Sequence, residues 1–327
     1  MTEDVCKTAI IKAAKHKHKR KPVQIVLEDI DNKAIELRRL ILEEKYIPSP
    51  YKRCDIVDHP SGKARVLHKP KFFPDQCVHH VIILLLGNEL LKRLDPHCIA
   101  SIPKRGIHMG HKLLRKWLQK DVQGTRYCLK CDIKKCYDNI KPEVVVNAFA
   151  HFIKDKKFLR LIEKVAYSHA SLPLGNFTSG WFQNLVMATM DRAVRADKGA
   201  KYLLRYVDDF VILSDSKEKL HNLVGIIGDA LAKVGLWLKE NCQVFEVDIR
   251  GIDMLGYRFY RHFVLLRKRC LQGLRHTIRV YKESPTPKLA RSLLSRLGQC
   301  KWFNSFNFRQ NNCLDIDLVR AKRRAIV

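Results

Sequence analysis

The sequence has few acidic residues for the number of basic ones that it carries. Its 33 Asp and Glu residues stand against 62 Lys and Arg, which gives a formal net charge of +29. An excess of this size raises the affinity for polyanions, chiefly nucleic acid. The runner-up partner is an anionic membrane surface, but no amphipathic anchor accompanies the charge.

The sequence also lacks a long apolar run and a secretory signal. The longest apolar run, residues 81–86, is far below the roughly 20 residues that cross a bilayer, and residues 1–21 contain no apolar core of a signal peptide. The eleven cysteines are scattered and odd in number. Cys128, Cys131 and Cys136 lie close together, but no second pair or histidine cluster completes a zinc site. We therefore expect reduced core thiols in a cytoplasmic protein with no membrane partner.

The 327 residues are 46% apolar, which predicts a folded chain with more than one subdomain. Residues 1–22 carry a basic block and are expected to form a basic N-terminal tail, either solvated or in contact with phosphates. Residues 23–260 alternate helical and strand patterns. Residues 261–327 are strongly basic and mostly helical in pattern, which predicts a separate subdomain that grips nucleic acid.

Two adjacent aspartates, Asp208 and Asp209, lie between two short apolar segments. The pattern predicts two strands joined by a tight turn that carries both carboxylates at its tip. Neighbouring carboxylates repel each other, and hard ions such as Mg²⁺ prefer oxygen ligands. An isolated Asp-Asp pair is more often an ordinary solvated turn, so the assignment depends on the rest of the chain.

Three other segments supply that context. Asp132 ends a predicted core strand, where it is placed either for metal binding or as a turn or capping residue. A loop rich in Pro and Gly, residues 172–184, leads into a helix that ends near residue 196. A hairpin with its turn at residues 58–62 places Lys63 and Arg65 on or beside a strand, where they either hold a triphosphate or form a generic basic edge.

These segments resemble, in order, the motifs of the reverse transcriptase family. Asp132 precedes Asp208 by 76 residues, and metal-assisted nucleotidyl transfer needs converging carboxylates of this kind. The resemblance runs from about residue 25 to the end of the chain. The matching stretches are residues 63–75 and 103–108 (fingers), 132–140 (motif A), 173–179 (motif B), 206–209 (motif C), 235–239 (motif D) and 255–259 (primer grip).

The resemblance implies an α+β right-hand polymerase fold. Residues 23–260 would form the fingers and the palm, an antiparallel sheet plus helices, and residues 261–327 a C-terminal α-helical thumb. Asp132, Asp208 and Asp209 would be catalytic and would hold two Mg²⁺ ions, with Mn²⁺ as a substitute. The backbone carbonyl of Ile133 would add a metal ligand.

The same resemblance implies a set of nucleotide-binding residues. Arg65 is the first candidate for binding the triphosphate, with Lys63 next. Tyr137 falls where the family places an aromatic gate against the ribose 2′-OH, the alternative being a core tyrosine. Lys239 is a candidate general acid towards pyrophosphate, although motif D lysines often fall a few residues later. The motif B residues Gly175 and Asn176 complete the set.

The implied function is copying of RNA into cDNA. The partners would be an RNA template and primer, the RNA–DNA hybrid and dNTPs. Residues 105–108, 174–179 and 302–308 resemble the reverse transcriptases of diversity-generating retroelements, which are mutagenic at template adenines and work with a small basic accessory protein. That branch usually has Ser-Gln where this chain has Ser179-Gly180.

Alternatives stay open at this point. A group II intron-like or phage-defence reverse transcriptase is the nearest, although residues 261–327 leave no room for the DNA-binding and endonuclease domains typical of group II intron proteins. From another class, a catalytically silent RNA-binding scaffold or splicing cofactor fits the charge equally well. An RNA-directed RNA polymerase shares the carboxylates, but a bulky Tyr137 disfavours ribonucleotides.

Overall fold

The computed structural model describes residues 1–58, 62–312, 321–322 and 325, without the side chains of Asp58 and Lys63. Residues 59–61 of the predicted hairpin turn, and Arg323 and Arg324 of the basic C-terminal segment, lie outside the described residues. Within the described ranges, no helix has the length and apolarity needed to cross a membrane.

The N-terminal part is helical and is followed by a projecting hairpin and a buried helix. The hairpin has the predicted strands, with Asp58 opposite Lys63 in register. The elements in chain order are α1 (Glu3–Ala14), α2 (Lys21–Glu28), α3 (Ile30–Leu42), β1 (Lys52–Asp58), β2 (Lys63–Lys69) and α4 (Cys77–Arg93).

The expectation of a basic N-terminal tail is wrong for residues 3–14. Helix α1 packs against α3 and α4, and Ala9, Ile10 and Ala13 are at most 1% exposed. These apolar residues recur at helical spacing, so the helix buries one face while its lysines stay on the other. Of the basic block, Lys12 lies in this helix, and Lys15, Lys17, Lys19 and Arg20 follow in the segment between α1 and α2.

The central part alternates helices with the strands of one sheet. Its elements are α5 (Ile107–Lys120), β3 (Tyr127–Asp132), α6 (Cys136–Asn139), α7 (Pro142–Ala150), α8 (Lys156–Ala166), α9 (Ser179–Ala196), β4 (Tyr202–Tyr206), β5 (Asp209–Ser214), α10 (Lys217–Ala232) and β6 (Gln243–Glu246). The strands are antiparallel in the order β4-β5-β3-β6. Between α10 and β6 only Leu238 pairs, in an isolated bridge with Ile133.

Strand β5 is buried on both faces, which explains its unbroken apolar run. Along β5, Phe210 and Ile212 belong to a core shared with α4 and α7–α10. Val211 and Leu213 point to the opposite face and join a second core with α5 and the C-terminal part. Side chains alternate across a strand, so a strand covered on both sides needs apolar residues at every position.

The C-terminal part begins with a small sheet and ends in helices. The elements are α11 (Val247–Arg250), β7 (Ile252–Met254), β8 (Tyr257–Phe259), β9 (Val264–Leu266), α12 (Lys268–Glu283), α13 (Pro287–Leu297) and α14 (Phe306–Asn311). Strand β9 pairs with β8, so the helical segment starts at Lys268, later than the predicted residue 261. The side chain at Phe259 packs into the second core, which anchors this sheet to the central one.

Candidate active site

Three aspartates meet at one end of the central sheet. Asp132 is the last residue of β3 and lies directly opposite Asp209, the first residue of β5. Asp209 also pairs with Tyr206 at the end of β4, so Val207 and Asp208 form the two-residue turn between these strands. The antiparallel register therefore brings Asp132 next to the Asp208–Asp209 pair, although 76 positions separate Asp132 from Asp208.

The carboxylates are partly buried and electrostatically coupled. Asp132 and Asp209 are about one-third exposed (33% and 32%). Burial, reinforced by the negative charge of Asp132, raises the pKa of Asp208. Burial also raises the pKa of Asp209 to about 6, despite the opposing charge of Lys130. Burial disfavours the ionised form of a carboxyl, and like charges add to that effect. The cluster thus favours an added cation.

Two lysines compensate part of this negative charge. The ammonium of Lys239 donates to Asp132 Oδ2, and its backbone N–H donates to the Asp132 carbonyl at 2.9 Å. Lys130 Nζ lies 3.8 Å from Asp209 Oδ1 and donates a hydrogen bond to the Asp253 carbonyl. Lys239 thus lies in the site, as its motif predicts, and contacts a carboxylate directly.

The donor set fits a hard divalent cation. Asp132 Oδ1 and Asp209 Oδ1 are buried without a hydrogen-bond partner, and buried polar atoms are normally satisfied. Ile133 faces Leu238 in a bridge whose hydrogen bonds are made by the flanking residues, which leaves the Ile133 carbonyl out of that pairing. Within the described ranges, no three Cys, His, Asp or Glu side chains form a preassembled metal cluster. Because Lys239 already donates a hydrogen bond to Asp132 Oδ2, a metal ion that binds both oxygens of Asp132 requires Lys239 to move away.

The raised pKa of Asp209 predicts an unusual stability profile. A carboxyl with a raised pKa contributes stability that is fully present below its unfolded pKa, about 3.9, and is lost as the pH rises through about 6. Without divalent ions, Asp209→Asn is therefore expected to raise Tm at pH 7.5 by about 2–4 °C, and to have little effect near pH 4. Thermal melts across this pH range measure the difference.

Asp215 is the matched control for that melt series. Lys219 hydrogen-bonds its exposed carboxylate and lowers its pKa, so Asp215→Asn should not stabilise the protein at pH 7.5. Equal Tm values for Asp209→Asn and the native chain across the range would contradict the prediction.

A cavity of about 1540 Å³ reaches this end of the sheet at Tyr206, which pairs with Asp209, although none of the three aspartates lines it. Tyr137 and Tyr206 line it together with the loop that holds Gly175 and Asn176. Burial and the nearby charge of Asp208 raise the pKa of Tyr137. Tyr137 therefore lies between the cavity and the charge of Asp208.

The glycine loop is fixed to the hairpin by close backbone contacts. The backbone N–H of His68 on β2 donates to the Leu174 carbonyl at 2.7 Å. Gly175 has φ +132°, and a Cβ at this position would come within 2.3 Å of the His68 carbonyl oxygen. Asn176 donates from Nδ2 to the Tyr51 hydroxyl at 2.7 Å. Only glycine allows this close approach, so Gly175 determines how near the loop lies to strand β2.

The two predicted triphosphate-binding residues, Lys63 and Arg65, both lie on strand β2 of the hairpin. Arg65 is exposed on β2, and its positive charge opposes the rise in the pKa of Tyr137. Lys63 starts β2, but its side chain lies outside the described residues.

Sequence patterns did not assign a role to two residues of this site. Lys130 precedes Asp132 by two positions, so the strand period of two places both side chains on one face, and this signal could have found it. Arg205 interrupts the apolar strand β4 and is fully buried. A buried charge needs a partner, and its partners, Asp191 and Asn184 on α9, were not recognisable from local sequence.

Comparison with known proteins identifies the family. Residues 80–259 match the family described as "Reverse transcriptase (RNA-dependent DNA polymerase)", and these residues include all three aspartates, Tyr137 and the glycine loop. The group II intron-encoded protein LtrA of Lactococcus lactis subsp. cremoris is 24% identical over 160 residues, which are 46% of this chain and 26% of LtrA. The chain thus matches about a quarter of the length of this curated relative.

Two solved structures have a similar fold. The apo telomerase of Candida tropicalis aligns with 86% of this chain and 63% of its own, at 13% identity and a TM-score of 0.50. The telomerase of Candida albicans in complex with a fragment of telomeric RNA aligns with 83% and 57%, at 13% identity and a TM-score of 0.48. The family match together with the similarity to the apo telomerase confirms the predicted right-hand polymerase fold with its antiparallel palm sheet. Because the family match spans more than half of the 327 residues, this chain belongs to the reverse transcriptase family.

Proposed function

We propose that the protein is an RNA-directed DNA polymerase that extends a primer on an RNA template by nucleotidyl transfer. The observation that carries the proposal is the convergence of Asp132, Asp208 and Asp209 at the sheet end beside the 1540 Å³ cavity. A pure RNA-binding scaffold has no need for three converging, partly buried carboxylates, of which Asp208 and Asp209 have raised pKa values.

Each residue of the site has a role in this proposal. The three aspartates and the Ile133 carbonyl would hold two Mg²⁺ ions, or Mn²⁺ in their place. When bound, these ions activate the primer 3′-oxygen and neutralise charge at the transferred phosphoryl group. Arg65 and Lys63 would bind the triphosphate. Gly175 and Asn176 would lie under the nucleotide, and Lys239, once released from Asp132, would give a proton to the leaving pyrophosphate.

The nucleic acid is expected to bind through charge. The +29 net charge and a basic groove of about 980 Å³, lined by Arg258, Arg267 and Arg275 with Phe303 and Phe308, suit an RNA template and the RNA–DNA hybrid. Phosphate contacts give positions while aromatic rings stack on bases. We propose a cytoplasmic setting for this reaction.

Primer extension on an RNA template tests the proposal. The native chain, Mg²⁺ and four dNTPs should give full-length cDNA, and omission of the metal should prevent it. Tight RNA binding without extension in Mg²⁺ or Mn²⁺ would instead favour the RNA-binding scaffold or splicing cofactor. Supplying a small basic accessory protein of the retroelement type distinguishes an inactive scaffold from an enzyme that lacks its partner.

The branch of the family has two candidates. The 24% identity to a group II intron-encoded protein supports a group II-like enzyme at least as well as the motif resemblance supports a diversity-generating retroelement. Sequencing of the cDNA separates them. Errors concentrated at template adenines would favour the retroelement branch, and evenly distributed errors would favour the group II-like or phage-defence alternative.

Removing the aromatic ring of Tyr137 is expected to admit ribonucleotides. Tyr137→Ala opens the cavity wall beside Asp208, so the preference for dNTPs over NTPs should fall at least ~10-fold, since pocket sterics discriminate on this scale. Tyr137→Phe keeps the ring and should keep the preference. The measurement is the ratio of kcat/KM for dGTP and GTP. Unchanged selectivity in Tyr137→Ala would remove the gate assignment and leave a core tyrosine.

A further inference from the structure

The turn that carries Asp208 contains a residue in an unfavourable backbone conformation. Val207 has φ +59° at the first position of the two-residue turn between Tyr206 and Asp209. A positive φ at this position alone is typical of a type II′ turn, which favours glycine there. A β-branched residue is a genuine outlier in that region. The turn therefore needs an interaction that holds it in place.

The buried side chain of Arg205 supplies that interaction. Its side chain is 0% exposed, and its Nη1 donates to the Val207 carbonyl at 3.1 Å. Nη1 also donates to Asn184 Oδ1 at 3.0 Å. The other edge of the guanidinium donates to Asp191, with Nη2 to Oδ2 at 2.7 Å and Nε to Oδ1 at 2.9 Å.

The partners of Arg205 belong to a rigid part of the core. Asp191 and Asn184 lie on α9 and are each 1% exposed. Asn184 is fixed in turn by donating from Nδ2 to the Ala100 carbonyl at 2.8 Å. The backbone of Arg205 is held as well, since its N–H donates to the His97 carbonyl at 3.1 Å and its carbonyl accepts from Ile99 at 3.0 Å. The guanidinium thus links a buried helix to the strained turn.

We propose that Arg205 is a positioning residue that holds Val207 in the left-handed conformation and thereby sets the placement of Asp208 for catalysis. This inference rests on the proposed polymerase activity for its kinetic part. The planar fork of arginine reaches Asp191 and the Val207 carbonyl at once, whereas the single ammonium of lysine does not have that geometry. Glycine at position 207 adopts the same φ without support.

A double-mutant cycle tests the proposal. Arg205→Lys is expected to lower kcat for primer extension about 10-fold, equivalent to one charged hydrogen bond. The KM for dNTP should stay within about twofold, because this residue does not line the cavity. In the Val207→Gly background the same substitution should lower kcat less than about threefold, because the turn keeps its conformation. Equal losses in both backgrounds would overturn the proposal.

Crystal structures of the variants give a readout that does not depend on activity. In Arg205→Lys, Val207 should leave the positive φ region and Asp208 should move, whereas Arg205→Lys/Val207→Gly should keep the turn. A native-like turn in Arg205→Lys would refute the positioning role whether or not the protein polymerises. Absence of extension by the native chain would instead count against the proposed function, and the crystal structures would still decide this inference.

Arg261 provides a matched control for loss of a buried guanidinium. It is 8% exposed, pairs with Asp248 at 2.9 Å and donates to the Leu118 carbonyl at 2.6 Å, so like Arg205 it binds one carboxylate and one backbone carbonyl. Arg261→Lys is expected to lower Tm without changing the conformation of the turn. Its effect on kcat should be the same with Val207 as in the Val207→Gly background. A similar kinetic rescue of Arg261→Lys by Val207→Gly would show that the cycle reports general stability and would overturn the assignment.

Discussion

Asp208→Asn is expected to lower primer extension by ~10³-fold or more while leaving the fold and RNA binding intact. The substitution removes one of the negative charges that the antiparallel register brings together. The proposed metal ions need these charges in order to bind at the reacting centre. The amide is nearly isosteric, and burial raises the pKa of this carboxyl, so the folded protein should tolerate its neutral form. Single-turnover extension on an RNA template measures the loss.

Asp215→Asn is the control for that experiment. Asp215 directly follows the distal end of β5 and makes an exposed ion pair with Lys219 at 2.9 Å, a type of contact that contributes little. Its loss should leave extension within about twofold. RNA affinity, measured in parallel, should be the same in all three proteins. Full extension by Asp208→Asn would show that the aspartate cluster is not the catalytic centre.

Gly175→Ala is expected to be the most damaging substitution of a residue that carries no reactive group. The added Cβ would lie 2.3 Å from the His68 carbonyl oxygen, and φ +132° is strained for any residue with a side chain. The loop must then lift from β2, which displaces Asn176 and the cavity floor. Misplacement by about 1 Å can cost ~10²-fold in rate, so kcat/KM for dNTP should fall by about that factor.

Gly225→Ala shows whether such an effect is specific. Gly225 lies within α10 with nothing within 4 Å of the added Cβ, and alanine favours a helix over glycine by about 1 kcal/mol. This variant should keep its activity and melt at the same or a slightly higher temperature. If Gly175→Ala behaved like Gly225→Ala in both assays, the loop would not be held against the hairpin as described.

The sequence by itself determined the elements of the catalytic part and their order. Apolar segments around Asp208 and Asp209 predicted the hairpin, and the strand ending at Asp132 and the glycine loop running into α9 were also predicted from local pattern. These signals are local because turns, strand alternation and helix starts depend on neighbouring residues. The N-terminal helix was not predicted, because basic residues dominate the composition of residues 1–22 and the apolar face of the helix shows only in the spacing of a few residues.

Only the tertiary structure decided how these elements meet. The pairing of Asp132 with Asp209 depends on strand register, and the contact of Lys239 with Asp132 joins residues 107 positions apart. The Arg205–Asp191 pair and the approach of Gly175 to His68 likewise depend on packing between distant segments. Such contacts cannot be predicted from local sequence, because they form only when hydrophobic burial packs distant elements into one core. A charge that is buried in this way is stable only when it is paired.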